Sequence, residues 1–294
     1  MNPRVRLSVS FACIAATALA STAFADGAVS LKMKLKAGDQ FTYQTVGQIS
    51  IPMPGKGGAG GAKQQKMPDI AFPVNATQTI SVTKVASSGS ADIDLTISGT
   101  TGIQTGGIGP SNRKTTAKAT ISPSGALAMA KHANESGANA AVGALTGTGT
   151  LGSITIYLPP HPVKPGDTWS VPVPLPQLSS TGTASAKYVG NTQAGRYKTA
   201  HIKLTISIPV HAMLDDKAGI TRDESKAQTT VNGKMTMVYE DDFAIAEGRL
   251  IRSTGAGTTD IVISQKAKAG KAGGDKPKSQ AIVAKTTMSS TLTQ

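Results

Sequence analysis

Histidines and a short acidic run are the residues of this sequence whose types suit metal binding. The closest two histidines are ten residues apart, and the chain has no His-x-His or His-Glu-x-x-His motif. The acidic runs Glu240–Asp242 and Asp215–Asp216 lack the spaced oxygen ligands of a calcium loop, so we interpret them as solvated turns. We interpret the closest pair, His201 and His211, as neutral surface residues, and we predict no metal and no cofactor. The histidines are His132, His161, His201 and His211.

Covalent catalysis has no recognisable signature in the chain. There is no Gly-x-Ser-x-Gly elbow and no Ser-x-x-Lys with its partner motifs. The 17 acidic residues offer no pair that we can assign to glycoside hydrolysis. Trp169 could stack on a sugar, but it follows a Gly-Asp turn as Phe41 does, which favours a core anchor. We therefore predict no catalytic residues and no enzyme; a hydrolase assembled from distant strands is the alternative.

Basic residues are concentrated in two Gly/Lys-rich loops. The loop 54–66 carries three Lys and no acid, and the loop 266–278 carries five Lys and one Asp. Neither loop ends in Gly-Lys-Ser/Thr, which argues against a phosphate loop. Neither contains an aromatic residue, and the mature chain has 23 Lys against five Arg, which argues against nucleic-acid binding. The candidate contacts with an anionic envelope component are Lys56, Lys63, Lys66, Lys268, Lys271 and Lys276.

The N-terminus predicts export. The chain has 294 residues, a formal charge of +13 and one cysteine. Arg4 and Arg6 precede an apolar stretch and the small-x-small sequence Ala23-Phe24-Ala25, which is typical of a signal peptide over 1–25. Cleavage after Ala25 leaves a thiol-free chain of charge +11 without a disulfide framework, in the periplasm or outside the cell. The mature chain has no apolar stretch long enough to predict a transmembrane segment.

Period-two alternation predicts strands along most of the mature chain. Apolar residues alternate with Lys over 31–36, and the same pattern recurs in 154–158, 202–208 and 235–239. Only 139–145 suggests a short helix. Strands with one apolar face and one Lys/Thr face predict an all-β protein built from antiparallel sheets.

Internal similarity predicts two duplicated β units, 26–150 and 151–294, packed as a sandwich or an open half-barrel. Three short matches occur in the same order in both halves, and the Pro-rich stretch 158–165 is the natural boundary between them. A single large sandwich with similar turns is the alternative. The matched pairs are Lys36–Phe41 with Lys164–Trp169, Ile93–Ser98 with Ile202–Ser207, and Gly125–Leu127 with Gly248–Leu250. The turn and core anchors that they predict are Gly38, Asp39, Phe41, Gly166, Asp167 and Trp169.

These landmarks also carry a resemblance to a known family. The opening strand and aromatic turn at Leu31–Tyr43, the Pro-rich Leu158–Trp169 and the late Gly248–Leu250 resemble a family of secreted, β-rich bacterial proteins of unknown function. The sequence departs from that family by its two Gly/Lys-rich insertions. The resemblance implies an antiparallel β architecture and export, and it brings no activity.

The sequence therefore predicts an exported, non-catalytic cell-envelope protein that binds a hydrophobic ligand or a partner, or serves structurally. An antiparallel sheet with one apolar face can enclose a lipid-like ligand with few polar groups. Binding of anionic polymers or lipid headgroups by the Lys-rich loops is the alternative, and such binding weakens with salt.

Overall fold

A computed structural model describes residues 27–52, 69–104, 107–129, 155–175, 180–215, 219–221, 225, 227–266 and 278–293. The regular structure of these residues consists of strands alone, as the period-two alternation predicts. The short helix predicted at 139–145 lies outside the described residues. The strands are β1 (Gln40–Ile51), β2 (Ile70–Val85), β3 (Ala91–Gln104), β4 (Gly107–Ile121), β5 (Leu127–Met129), β6 (Thr168–Leu175), β7 (Ser180–Ala194), β8 (Tyr197–Asp215), β9 (Gly219–Thr221), β10 (Thr229–Ala244), β11 (Arg249–Gln265) and β12 (Lys278–Leu292).

All of these strands belong to one antiparallel sheet. Its order is β5-β4-β3-β2-β1-β12-β11-β10-β8-β7-β6, and β9 pairs with β8. The two outermost strands, β5 and β6, are not paired with each other, so the sheet is open. The predicted all-β, antiparallel class is confirmed. Of the two predicted packings, a two-sheet sandwich disagrees with this strand order, and an open arrangement agrees with it.

The last strand of the chain occupies the centre of the sheet. β12 lies between β1 and β11, with Tyr43 of β1 opposite Leu292 and Arg252 of β11 opposite Thr291. Strands β1 to β5 lie on one side of β12 and strands β6 to β11 on the other. The strands of residues 26–150 thus lie on one side of β12, and the other strands of residues 151–294 lie on its other side.

The two faces of the sheet differ in polarity, and we call them the inner and outer face. On β8, Ile202 and Leu204 point to the inner face and are buried, whereas Lys203 between them is exposed on the outer face. Large inner-face side chains lie over glycines of the neighbouring strand. A Cβ on Gly255 would lie 2.4 Å from the ring of Tyr239, and one on Gly47 would lie 2.8 Å from the side chain of Met288. Only glycine permits these close approaches.

The segments that precede the two Gly-Asp turns differ from the prediction. Residues 31–36 alternate in burial as predicted, whereas 155–158 have no exposed residue, and neither segment is a strand of the sheet. Leu31 and Ile156 are buried in the core, and single backbone bonds hold the segments, such as Met33 N to Pro123 O and Leu158 N to Ser124 O. The alternation of 31–36 therefore reflects one buried side and one exposed side without strand pairing. The described residues contain no helix that could cross a membrane.

Candidate functional site

The candidate anionic-surface lysines cannot be placed. Lys56, Lys63, Lys66, Lys268, Lys271 and Lys276 all lie outside the described residues, as does the signal peptide predicted over 1–25.

The first Gly-Asp turn introduces β1. Gly38 has a φ of 89°, a left-handed conformation that favours glycine, and its N–H donates to Val82 O at 2.9 Å. The Asp39 carboxylate accepts a bond of 2.8 Å from the backbone N–H of Lys36, which closes the turn. Phe41 follows on the inner face and is buried.

The second turn has the same geometry before β6. Gly166 has a φ of 98° and donates to Tyr188 O at 2.7 Å. The Asp167 carboxylate accepts from Lys164 N at 2.8 Å. Trp169 is buried in the core, where its indole N–H donates to Tyr157 O at 2.7 Å. These side chains hold the turn and the core, and Trp169 also lines a shallow surface depression together with Lys187 and Lys203.

The acidic run at 240–242 overturns its interpretation as a solvated turn. Asp241 and Asp242 lie within strand β10 and are 1% and 3% exposed. His201 also differs from the prediction, because it is partly buried and contacts Asp242. His211 is exposed, as predicted, and its ring contacts Asn232.

Asp242 is on the outer face, where it is fully partnered. Its Oδ2 accepts from Arg252 Nε at 2.9 Å, and Arg252 Nη2 lies 2.6 Å from the same oxygen. Its Oδ1 lies 3.1 Å from His201 Nδ1 and accepts from the Thr192 hydroxyl at 3.3 Å. Two arginine nitrogens thus contact one carboxylate oxygen, and such charge-assisted contacts are strong. The cluster joins β7, β8, β10 and β11 across the outer face.

Asp241 is on the inner face, at one end of a row of buried polar side chains. Register places Asp241 opposite Ser253, Ser253 opposite Ser290, and Ser290 opposite Thr45. The Thr45 hydroxyl lies 2.6 Å from the Ser290 hydroxyl and accepts from the Gln78 side-chain amide at 2.8 Å. We call these five residues the polar row. It crosses five adjacent strands on a face that is otherwise mainly apolar: β10, β11, β12, β1 and β2.

The environment of Asp241 is unusual for a carboxyl group. Neither of its oxygens has a hydrogen-bond partner among the described residues, and the same is true of Ser253 Oγ. Burial raises the pKa of Asp241 from 3.8 to about 7, and the charge of Asp242 adds to the rise. The neighbouring Ser253 hydroxyl lowers this pKa in part, although it does not reach full hydrogen-bond geometry. Asp241 is therefore a buried acid that titrates near neutral pH.

The apolar core of the first half carries one arginine at its rim. The Arg249 guanidinium lies 5.7 Å from the Phe41 ring centre and 5.5 Å from that of Tyr197. Close by, the Tyr43 hydroxyl donates to Leu250 O at 3.0 Å, and burial raises the pKa of Tyr43. The cavity between these residues measures about 20 Å³, which is room for about one water molecule. The described interior is thus closely packed here.

The described residues show no group of three or more His, Cys, Asp or Glu side chains that could hold a metal ion. What the arrangement offers chemically is a buried proton site at Asp241 and a continuous polar row beside it. Compared with known proteins, the chain matches no protein-family model. No curated protein matches it either.

Proposed function

We propose that the protein is an exported, non-catalytic cell-envelope protein that binds a hydrophobic ligand on the inner face of its open sheet. One observation supports the ligand surface above the others. At the end of the sheet where β1 ends and β12 begins, inner-face isoleucines of adjacent strands stay partly exposed. We call this the isoleucine surface: Ile49, Ile261, Ile263 and Ile282.

Strand register makes this surface continuous. Ile261 of β11 lies opposite Ile282 of β12, and Ile263 lies opposite Val231 of β10. Buried inner-face residues such as Phe72, opposite Ile49, connect the surface to the core. Partly exposed apolar side chains on an unclosed face gain free energy when a ligand removes them from water.

The ligand lies on this surface in our proposal, because the cavity beneath Phe41 has a volume of only about 20 Å³. An acyl chain does not fit a space of that size. The charge-apolar-small order of residues 1–25 and the absence of cysteine after Cys13 support export. The resemblance to secreted β-rich bacterial proteins supports the same assignment.

Matched pairs of variants test the ligand surface. Ile261→Ser with Ile282→Ser removes apolar groups from the inner face, and Val262→Ser with Val283→Ser removes them from the outer face of the same two strands. Both outer valines are 41% exposed. We expect the inner pair to weaken binding of dodecanoate, measured by calorimetry, about tenfold, which corresponds to ~1.4 kcal/mol. We expect the outer pair to bind like the wild type.

Two further results complete this test. Native mass spectrometry of the protein purified from its own envelope should show a co-purified lipid that the inner pair loses. Equal losses in both pairs, or no binding by the wild type, would contradict the proposal. A screen of hydrolase substrates should show no turnover, and turnover would support the hydrolase alternative instead.

Binding of anionic polymers or headgroups is the second candidate, and strand order favours it. The segments 52–69 and 266–277 connect β1 to β2 and β11 to β12, and these four strands are neighbours in the sheet. Ile51 and Ile70 pair with each other, as do Gln265 and Lys278, so both Lys-rich segments leave the sheet at the end that carries the isoleucine surface. The combined charge of these two segments, +5, is therefore anchored at one end of the sheet.

Charge neutralisation separates the two candidates. Replacing the six predicted contact lysines by Gln should abolish binding to vesicles rich in phosphatidylglycerol if the second candidate is right, and added salt should weaken wild-type binding steeply. Dodecanoate binding by the isoleucine surface should survive this replacement. Unchanged vesicle binding would contradict the second candidate. The lysines are Lys56, Lys63, Lys66, Lys268, Lys271 and Lys276.

We infer that the two halves arose by duplication, with β12 added to join them. Both Gly-Asp turns use the same bonds, and in both halves the second hairpin has a register shift, at Val82/Lys84 and at Tyr188/Gly190. In sheet order the first half reads β5-β4-β3-β2-β1, and the second reads β11-β10-β8-β7-β6. In both halves, the strands that come earlier in the chain lie closer to the β6 edge of the sheet. The remaining matched glycines all have positive φ: Gly89 with Gly195, and Gly125 with Gly248.

A further inference from the structure

The contacts of Asp241 differ from those that a buried carboxyl group requires. Buried carboxylates in folded proteins are paired or hydrogen-bonded, because an isolated charge loses its hydration. Asp241 is 1% exposed, and both of its oxygens lack a hydrogen-bond partner among the described residues. The neutral, protonated form is the one that this environment tolerates.

The groups that face Asp241 do not supply a positive charge. β8 contributes Ile202 opposite it, and β11 contributes Ser253. On β10 itself, two residues away on the same face, burial raises the pKa of Tyr239, and the charge of Asp241 adds to the rise. Tyr157, from the segment 155–158, is the other titratable side chain close to Tyr239. Asp242 adds a second negative charge.

The nearby basic side chains contact the outer-face carboxylate. Arg252 and His201 flank the residues opposite Asp241 in sequence, but alternation directs both to the Asp242 carboxylate. An ionised Asp241 would therefore face apolar groups, hydroxyl groups and another carboxylate. The Ser253 hydroxyl offsets the cost of losing the proton only in part, so the remainder is compensated by letting water in or by turning the side chain outward.

The strands beside Asp241 show where this response would occur. The register of β10 and β11 shifts between Asp242 and Phe243, one residue beyond Asp241. A register shift interrupts the ladder of backbone bonds and leaves the pairing locally weaker. Ser253, on the other side of that pairing, also has an unused hydroxyl.

We propose that Asp241 is a proton-operated latch of the inner face. In the protonated state the side chain stays buried against Ser253, and the pairing of β10 with β11 next to the register shift is closed. In the ionised state that pairing opens locally and water reaches the polar row. The latch is separate from the isoleucine surface and does not depend on any ligand.

Hydrogen exchange measured by mass spectrometry tests the latch, with the rates corrected for their intrinsic pH dependence. Between about pH 6 and about pH 8, on either side of the ionisation, peptides covering 239–244 and 250–255 should exchange about tenfold faster in the wild type. Asp241→Asn, which cannot ionise, should show no such rise. Asp260→Asn removes an exposed carboxyl from β11 and should behave like the wild type.

The proposal is overturned by an equal rise in Asp241→Asn, or by a wild-type protein whose corrected exchange does not change with pH. If the Asn variant does not fold, Asp241→Leu replaces it, since the apolar side chain has the same branching and number of heavy atoms and no proton to lose. An independent readout is the carbon chemical shift of the Asp241 carboxyl group. Titration in the ordinary range of exposed aspartates would also overturn the latch.

Discussion

Asp241 and Asp242 are neighbours in the chain, but they lie in opposite environments on the two faces of β10. Asp242 accepts bonds from Arg252, His201 and Thr192, and its side chain is 4% exposed. Asp241 is equally buried and has no hydrogen-bond partner among the described residues. Burial alone therefore does not determine what a carboxylate does in this sheet. The arrangement of neighbours on each face decides whether the group is charged and fixed or neutral and titratable.

The first prediction concerns the pH dependence of stability, for which Asp241 should have the largest effect. Its folded-state pKa of about 7 lies above the ordinary value of 3.8. Its contribution to stability is therefore fully present below about pH 4 and is lost as the pH rises towards 7. At about 1.4 kcal/mol per pKa unit, the loss is ~4 kcal/mol at most.

Urea unfolding of the wild type and of Asp241→Asn across this range measures that loss. The free energy of unfolding of the variant should lack the Asp241 component, so the difference between the two curves should follow a single ionisation. Parallel curves would show that Asp241 is solvated or paired, and the contrast between the two faces would then disappear.

The second prediction exchanges both acids for leucine. Asp242→Leu should lower the free energy of unfolding by about 2 kcal/mol, because it leaves Arg252 and His201 without their acceptor; the loss is limited because Arg252 can turn to solvent. Asp241→Leu should raise the free energy of unfolding at about pH 8, where the wild-type carboxylate is ionised. Opposite signs at neighbouring positions would sharpen the comparison, and losses of equal size would contradict it.

The third and smallest effect compares hydroxyl groups on the two faces. Thr45→Val leaves the Ser290 hydroxyl and the Gln78 amide without this contact inside the polar row, so we expect a loss of about 1.5 kcal/mol. Thr192→Val removes an exposed outer-face hydroxyl and should cost about 0.5 kcal/mol. Thermal unfolding of both variants checks the order. A larger effect at Thr192 would indicate that the outer cluster is the more tightly coupled one.

Much of the fold could be predicted from patterns in the sequence. Alternation along β8 and β10 identifies both faces, and the Gly-Asp repeats locate the starts of β1 and β6. Alternation alone could not show that 31–36 lies outside the sheet, because a segment with one buried side has the same pattern whether or not its backbone pairs.

The site was harder to predict. An acidic triplet resembles a turn by composition, and only the continuing alternation of Met235, Met237 and Tyr239 indicates that Asp241 points inward. The polar row could not be predicted, because it depends on which strands are neighbours. Ser290 meets Thr45 only because the last strand pairs with the first.

That central position of β12 has a consequence for the order of folding. The contacts of β1 with β12 join residues near the two ends of the chain, as Tyr43 opposite Leu292 shows. A newly made chain can form its hairpins early, but the two halves of the sheet cannot join until β12 is available. Closing such a long loop is entropically costly and slows folding. The sheet therefore stays divided into two separate halves until β12 has been made.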